Sequence, residues 1–319
     1  MSIRCAAPAG GVVDGVATAT RSFDLPAPVV RLPYQFNGLS LSKLAADLAA
    51  HAATGWPPEV IIDFGNLGFV RPAGIVFLSN MFAWMSAHKT KITLTSVNGP
   101  GDAVRFLDDA LFFEQHCGAK LRADAAPRAT TRPMMRIAHE NCHDWLEADL
   151  LPWLANRLSI TKASLYAFKN CVAELFNNIQ DHTQLEIGTI CAQHFPKESR
   201  VYISLSDMGH GIPTVVRTKE AKLSDAAAII KATEAGFTTK SVPGNQGIGL
   251  DYLLTTVVDR NGGTVSFYSS NAIVRFGHAG RRGPLVVPNV GFCPGTTIDI
   301  VLRTDTIEHL PEEREDLQW

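Results

Sequence analysis

From residue 29 to 117 the chain alternates strand-like and helix-like stretches with a regularity that few folds accept. "VVRLPYQF" reads as a strand, "GLSLSKLAADLAAHAA" carries apolar residues at helical spacing, and "VIIDF" is a short buried strand. "AGIVFLSNMFAWMSAH" predicts a second helix, "KITLTSV" another strand and "GDAVRFLDDALFFEQHC" a third helix. Strands separated by helices in this way imply an α/β layer structure. Residues 118 to 132, "GAKLRADAAPRATTR", lose the periodicity and gather Ala, Pro, Thr and Arg, a composition with little to bury. The expected division is an α/β domain over 25–120, a linker over 121–135, a second domain over 136–306 and a tail over 307–319.

The second half has another rhythm. Two helices, "HDWLEADLLPWLANRLS" and "KASLYAFKNCVAELFNNIQDH", precede the strands "GTICAQHF" and "RVYISLSD". A polar stretch with a short helix, "SDAAAIIKATEA", leads to helix "GLDYLLTTVVDR" and the strands "GTVSFYSS", "AIVRF" and "GTTIDIVLR". This order predicts a mixed sheet under helices, an α+β sandwich.

Composition narrows the classes of function. With 46% apolar and 19% charged residues, 319 residues suffice for two cores. The net charge of −2 gives no basic field for nucleic acid, and the only tight basic cluster is Arg281-Arg282. Six cysteines lie far apart without a C-x-x-C, which suits a reducing compartment, and the expected location is the cytoplasm. No apolar run reaches the roughly 20 residues that span a bilayer, and the start "MSIRCAAPAGG" lacks the apolar core of a signal peptide, so no membrane association is expected.

Four stretches carry chemistry. Glu174, Asn178 and His182 are spaced by four on one helix and share a face, where a carboxylate can orient a nucleophile, an amide can ligate magnesium and an imidazole can approach phosphate. A solvated polar face would show the same spacing. Asp207 follows a buried strand, and Gly209 and Gly211 remove side chains where the backbone must turn or admit a ligand. In "GFTTKSVPGNQGIGLDYLL", Gly244, Gly247 and Gly249 lead directly into a helix, whose free N–H groups suit phosphate, and Lys240 adds a mobile cation. "HENCH", residues 139 to 143, fits the zinc-peptidase pattern H-E-x-x-H, yet it also opens an amphipathic helix with acidic residues in its first turn, where the histidines simply face solvent.

The order "ELFNNIQDH", "DMGHGI", "GFTTKSVPGNQGIGL" and "GTTIDIVL" resembles the N, G1, F/G2 and terminal boxes of the GHKL (histidine kinase-like) ATPase superfamily, over about residues 140 to 304. The resemblance implies a Bergerat-type fold with ATP and magnesium as cofactors. It gives Glu174 the polarisation of the attacking water or hydroxyl, and Asn178 the metal. Asp207 would accept from the adenine amino group, Thr296 or Thr297 would complete that end, and the glycines would border a lid over about 212–246. At the first glycine of the usual G2 run stands Asn245. The interval from His139 to Glu174 leaves no room for a phosphoacceptor hairpin, so the chain looks most like the anti-sigma-factor serine kinases.

The first half, in "VIIDFGNLGFVRPAGIVFLSNMF", resembles the STAS fold of anti-sigma-factor antagonists, with Arg71-Pro72-Ala73-Gly74 where those proteins carry a phosphorylatable serine. Together the resemblances imply a regulatory ATPase or serine/threonine kinase-like protein whose nucleotide-dependent lid sets the binding of a STAS-like or sigma-factor-like partner; a homodimer is the one self-assembly considered. The alternative is a nucleotide-gated binding module without hydrolysis; behind these stand a histidine kinase and a zinc peptidase.

Overall fold

Alternating burial builds the first sheet: in β4 (Glu59–Asp63), Val60 and Ile62 are buried while their neighbours are half-exposed. The computed structural model describes residues 3–4, 27–37, 57–98, 101–182, 187–239, 249–277, 283–287 and 291–311, with single positions between 40 and 50. Across the sheet the order is β1 (Ile3–Arg4), β6 (Lys91–Thr95), β4 and β2 (Val29–Arg31), with β1 antiparallel and the rest parallel. A separate parallel pair joins β3 (Gln35–Phe36) to β5 (Phe69–Val70). The expected strand over 29–36 is therefore two strands, parted at Pro33, which has no N–H to give a ladder. The expected helix over 38–53 lies mostly outside the described residues, though Leu41 and Leu44 are buried.

Helix α1 (Pro72–Ala87) starts with Pro72 in its first turn, where a missing N–H costs nothing. The expected third helix is two, α2 (Asp102–Asp109) and α3 (Phe112–Cys117), because Leu111 adopts a left-handed φ of 64°. The break sends adjacent rings to different walls: Phe113 packs on Phe64 at 5.7 Å and Phe112 on Phe82 at 5.5 Å. Residues 118–130 form no helix or strand, as their composition predicts, but ionic contacts hold them. Buried Asp108 accepts from the N–H groups of Leu121 (2.8 Å) and Arg122 (3.0 Å), and Asp109 pairs with Arg122 and with Arg128 (2.9 Å).

The second half contributes β7 (Thr131–Ala138), then α4 (Cys142–Trp145), a π-helical turn over Leu146–Leu150, α5 (Leu151–Leu158) and α6 (Tyr166–His182). After β8 (Ile187–Phe195) and β9 (Arg200–Asp207) come α7 (Ile212–Val216), α8 (Asp225–Ala232) and α9 (Gly249–Leu254), which runs on as a π-turn through Thr255–Arg260. Strands β10 (Thr264–Ser270), β11 (Ala272–Phe276), β12 (Leu285–Val287) and β13 (Cys293–Arg303) complete it. The result is a wholly antiparallel seven-stranded sheet, β12-β11-β10-β13-β9-β8-β7. Strand β7 begins inside the expected linker; Pro133 falls in the irregularity between Arg132 and Met135, where an edge strand tolerates a residue without an N–H.

One face of this sheet is apolar: Val201, Ile203, Leu205, Phe267, Ile298 and Ile300 pack against Leu154, Phe168, Val172, Phe176 and Leu253 of the helices. The other face presents Ser204, Ser206, Thr297 and Asp299, with Ser204 donating to Asp299 at 2.7 Å and Ser206 bonded to Thr297 at 2.8 Å. Helix α1 covers that second face. It is buried without interruption from Pro72 to Phe82, and it lies against β8, β9 and β13 on one side and β6 on the other. A helix apolar on every side needs cover on every side, and here two sheets supply it. At its entrance Arg71 meets Glu198 at 3.0 Å and stacks 4.1 Å from the Tyr202 ring and 4.7 Å from that of Phe195. The whole is a mixed α/β architecture with one large antiparallel sheet. No helix among the described residues is long and apolar enough to cross a membrane.

Candidate functional site

Helix α6 comes close to the sheet at Gly188, where a side chain would collide with Ile179, Phe176 and Leu205. This contact sets which side of α6 looks away from the core. Glu174 and Asn178, one turn apart and half-buried, lie on that side and meet the start of α9. A β-carbon placed on Gly249 would lie 3.6 Å from Oε2 of Glu174 and 3.7 Å from Nδ2 of Asn178. A carboxylate and an amide therefore face the first turn of a helical run from Gly249 to Arg260, where N–H groups have no partner within the helix.

A second group gathers at the end of β9. The register pairs Asp207 with Thr296, so the two share a face, and that face is the one on which Leu205 and Ile203 meet the helices. Thr297 pairs with Ser206 and points to α1, so of the two threonines Thr296 accompanies Asp207. The carboxyl of Asp207 accepts from the Gly209 N–H at 2.6 Å. The residue as a whole is half-buried, but its carboxyl has lost enough water that its pKa rises to about 6, and the Gly209 and Thr296 N–H groups offset that only in part. Gly211 has a φ of 79°, and a side chain there would press on Ser269 Oγ at 2.8 Å. That hydroxyl donates to Gly295 C=O at 2.7 Å and accepts from Ile212 N–H at 3.0 Å, tying the turn after β9 to the irregular start of β13. Behind the site, Asn80 of α1 donates to the carbonyls of Asp207 (2.6 Å) and Pro294 (2.9 Å).

Both groups lie on the helix side of the large sheet, Glu174, Asn178 and Gly249 in one and Asp207, Gly209, Gly211 and Thr296 in the other. Lys240, Gly244 and Gly247 lie outside the described residues, as does the side chain of His182. In "HENCH", His139 belongs to a 3-10 turn ahead of α4, half-buried, and its Nε2 lies 2.9 Å from Oδ1 of Asn177; His143 is exposed. No cluster of three or more His, Cys, Asp or Glu suited to a metal occurs among the described residues. Sequence reasoning did not find Asn80, Asn177, Ser269 or Gly295. Asn80, Ser269 and Gly295 act through partners distant in the chain, which no local spacing signals, and Asn177, though three residues from Glu174, also depends on distant His139. Compared with known proteins, the chain matches no family model and no curated protein.

Proposed function

We propose that the chain binds Mg-ATP on the helix side of its large sheet and works as a regulatory ATPase or serine/threonine kinase-like protein of GHKL type, with a STAS-like unit against the opposite face. One observation carries the reading: Glu174 and Asn178 meet the glycine that opens α9, on the same sheet face as Asp207 and Thr296. Phosphates fit the α9 start, where the first-turn N–H groups point out of the helix beside a neutral amide, and Asn178 would hold magnesium through its amide oxygen. Bound magnesium would neutralise phosphate charge during transfer. Asp207, a partly desolvated acceptor at the end of a strand, suits an amino group such as that of adenine. Glu174 has one oxygen towards the α9 start, in position to take a proton from a water or hydroxyl.

If the chain is a kinase, its acceptor lies in another protein. The turn from Arg71 to Gly74 has no hydroxyl, and the next serine along the chain, Ser79, is 2% exposed and bonded to His116 Nε2 at 3.0 Å. Burial, then the charge of Arg136, lowers the pKa of that histidine to about 3, so it stays neutral. Mass spectrometry after incubation with Mg-ATP should find no phosphate on residues 71 to 79. The partner is a STAS-like or sigma-factor-like protein.

Calorimetry and a turnover assay with ATP test the assignment. Asp207→Asn should weaken binding roughly tenfold to a hundredfold, the equivalent of about 1.5 to 3 kcal/mol for a hydrogen bond to a charged group. Glu174→Ala should bind within a few-fold of wild type and lose turnover. The roles are wrong if Glu174→Ala loses binding while Asp207→Asn binds normally. Tight binding without wild-type turnover would select the nucleotide-gated module.

A further inference from the structure

Between Glu174 and Asn178 on α6, Asn177 makes two side-chain contacts that order the site. Its Nδ2 donates to Oε1 of Glu174 at 3.3 Å, and its Oδ1 lies 2.9 Å from Nε2 of His139. The chemistry of the groups fixes every direction in this chain. A carboxylate only accepts, so the amide turns its NH2 towards Glu174 and its oxygen towards His139. An amide oxygen also only accepts, so the imidazole carries its hydrogen on Nε2. The two oxygens of Glu174 are thereby divided: Oε1 is held by Asn177, while Oε2 faces the start of α9, 3.6 Å from where a β-carbon on Gly249 would stand.

From this arrangement we infer that His139 is a positioning residue for Glu174, acting through Asn177, an inference that rests on the catalytic role proposed for Glu174. Without the imidazole N–H, the Asn177 amide is free to turn and Oε1 loses its fixed donor. The carboxylate then samples rotamers in which Oε2 no longer addresses the reacting water or hydroxyl. Small misplacements of a base cost rate steeply, whereas binding depends on contacts made elsewhere. The place of His139 also accounts for the local fold: the residue ends β7 in a 3-10 turn, directed at α6 instead of sharing a helix face with His143.

Two measurements test this. Nitrogen-15 NMR of the nucleotide-free protein should show His139 as the Nε2–H tautomer with that hydrogen protected from exchange, and Asn177→Leu should remove the protection; an Nδ1–H imidazole or an unprotected Nε2–H in wild type would overturn the inference. In steady-state ATP turnover, His139→Ala should lower kcat roughly tenfold with the ATP Kd within threefold, and His139→Gln, which keeps an N–H donor, should recover most of the rate. The double variant His139→Ala, Asn177→Leu should lose no more than the worse single variant, because both break one chain. Normal kcat in His139→Ala beside an active wild type overturns the positioning role alone, as does a loss shared equally between kcat and Kd. A wild type that binds no ATP overturns the functional reading, and the positioning role falls with it even where the tautomer is as expected.

Discussion

At the scale of the residue, Asp207 ties pH to stability and, on the proposed function, to binding. Loss of solvent raises its pKa from an ordinary 3.8 to about 6, so the fold favours the neutral acid. The associated stability is complete below about pH 4 and is lost as pH rises through 6, leaving the ionised side chain a cost of about 3 kcal/mol at pH 8. Asp207→Asn, which carries no charge, should therefore melt at a higher temperature than wild type at pH 8 and show no such gain at pH 4. A nucleobase amino group prefers the ionised carboxylate, so the dependence on pH reverses for the ligand. The affinity of wild type for adenosine, which has no group titrating in this window, should fall roughly tenfold per pH unit below 6. An affinity constant from pH 5 to 8 would remove Asp207 from base recognition.

At the scale of the element, α1 decides most. Phe77 is 1% exposed, and Phe77→Ala should cost about 3 to 5 kcal/mol in urea unfolding. Asn80→Ala leaves the carbonyls of Asp207 and Pro294 without their side-chain donor and should cost about 1 to 3 kcal/mol, with a further loss of adenosine affinity because the Asp207 backbone is no longer held from behind. The helix was legible in the sequence as a long apolar stretch, but a stretch apolar on every side names no neighbour, so its place between two sheets was not. Strand β7 escaped because Arg132, Pro133 and Arg136 interrupt the alternation that marks a strand, and β12 because it is short and mostly exposed. The break at Leu111 has no glycine or proline to announce it. Within the candidate site, the Glu174 and Asn178 pair was readable because helical spacing is local. Asn80 and His139 were not, since each reaches its partner only after the chain has folded.

At the scale of the whole molecule, the buried cluster around α1 takes in Cys191, Tyr268, Ile273 and Cys293 of the large sheet together with Val60, Ile92 and Phe112 of the first half. The two halves should then unfold together. Tryptophan fluorescence, which reports Trp84 in α1 and Trp145 and Trp153 beyond the large sheet together with Trp56 and Trp319 outside the described residues, should give the same urea midpoint as far-ultraviolet circular dichroism; separate midpoints would show that each half stands alone. A helix held as a common middle layer has a consequence for control. Where a regulator and its target are separate molecules, the response follows their amounts and the fraction of encounters that last, and release is always open to them. If the two halves form such a pair, as proposed, the ratio is fixed at one to one by the polypeptide, dilution changes nothing, and parting would strip both neighbours of cover. Under that reading, a signal arriving at either sheet would reach the other as a change in curvature or spacing, its strength set by stiffness, not by supply.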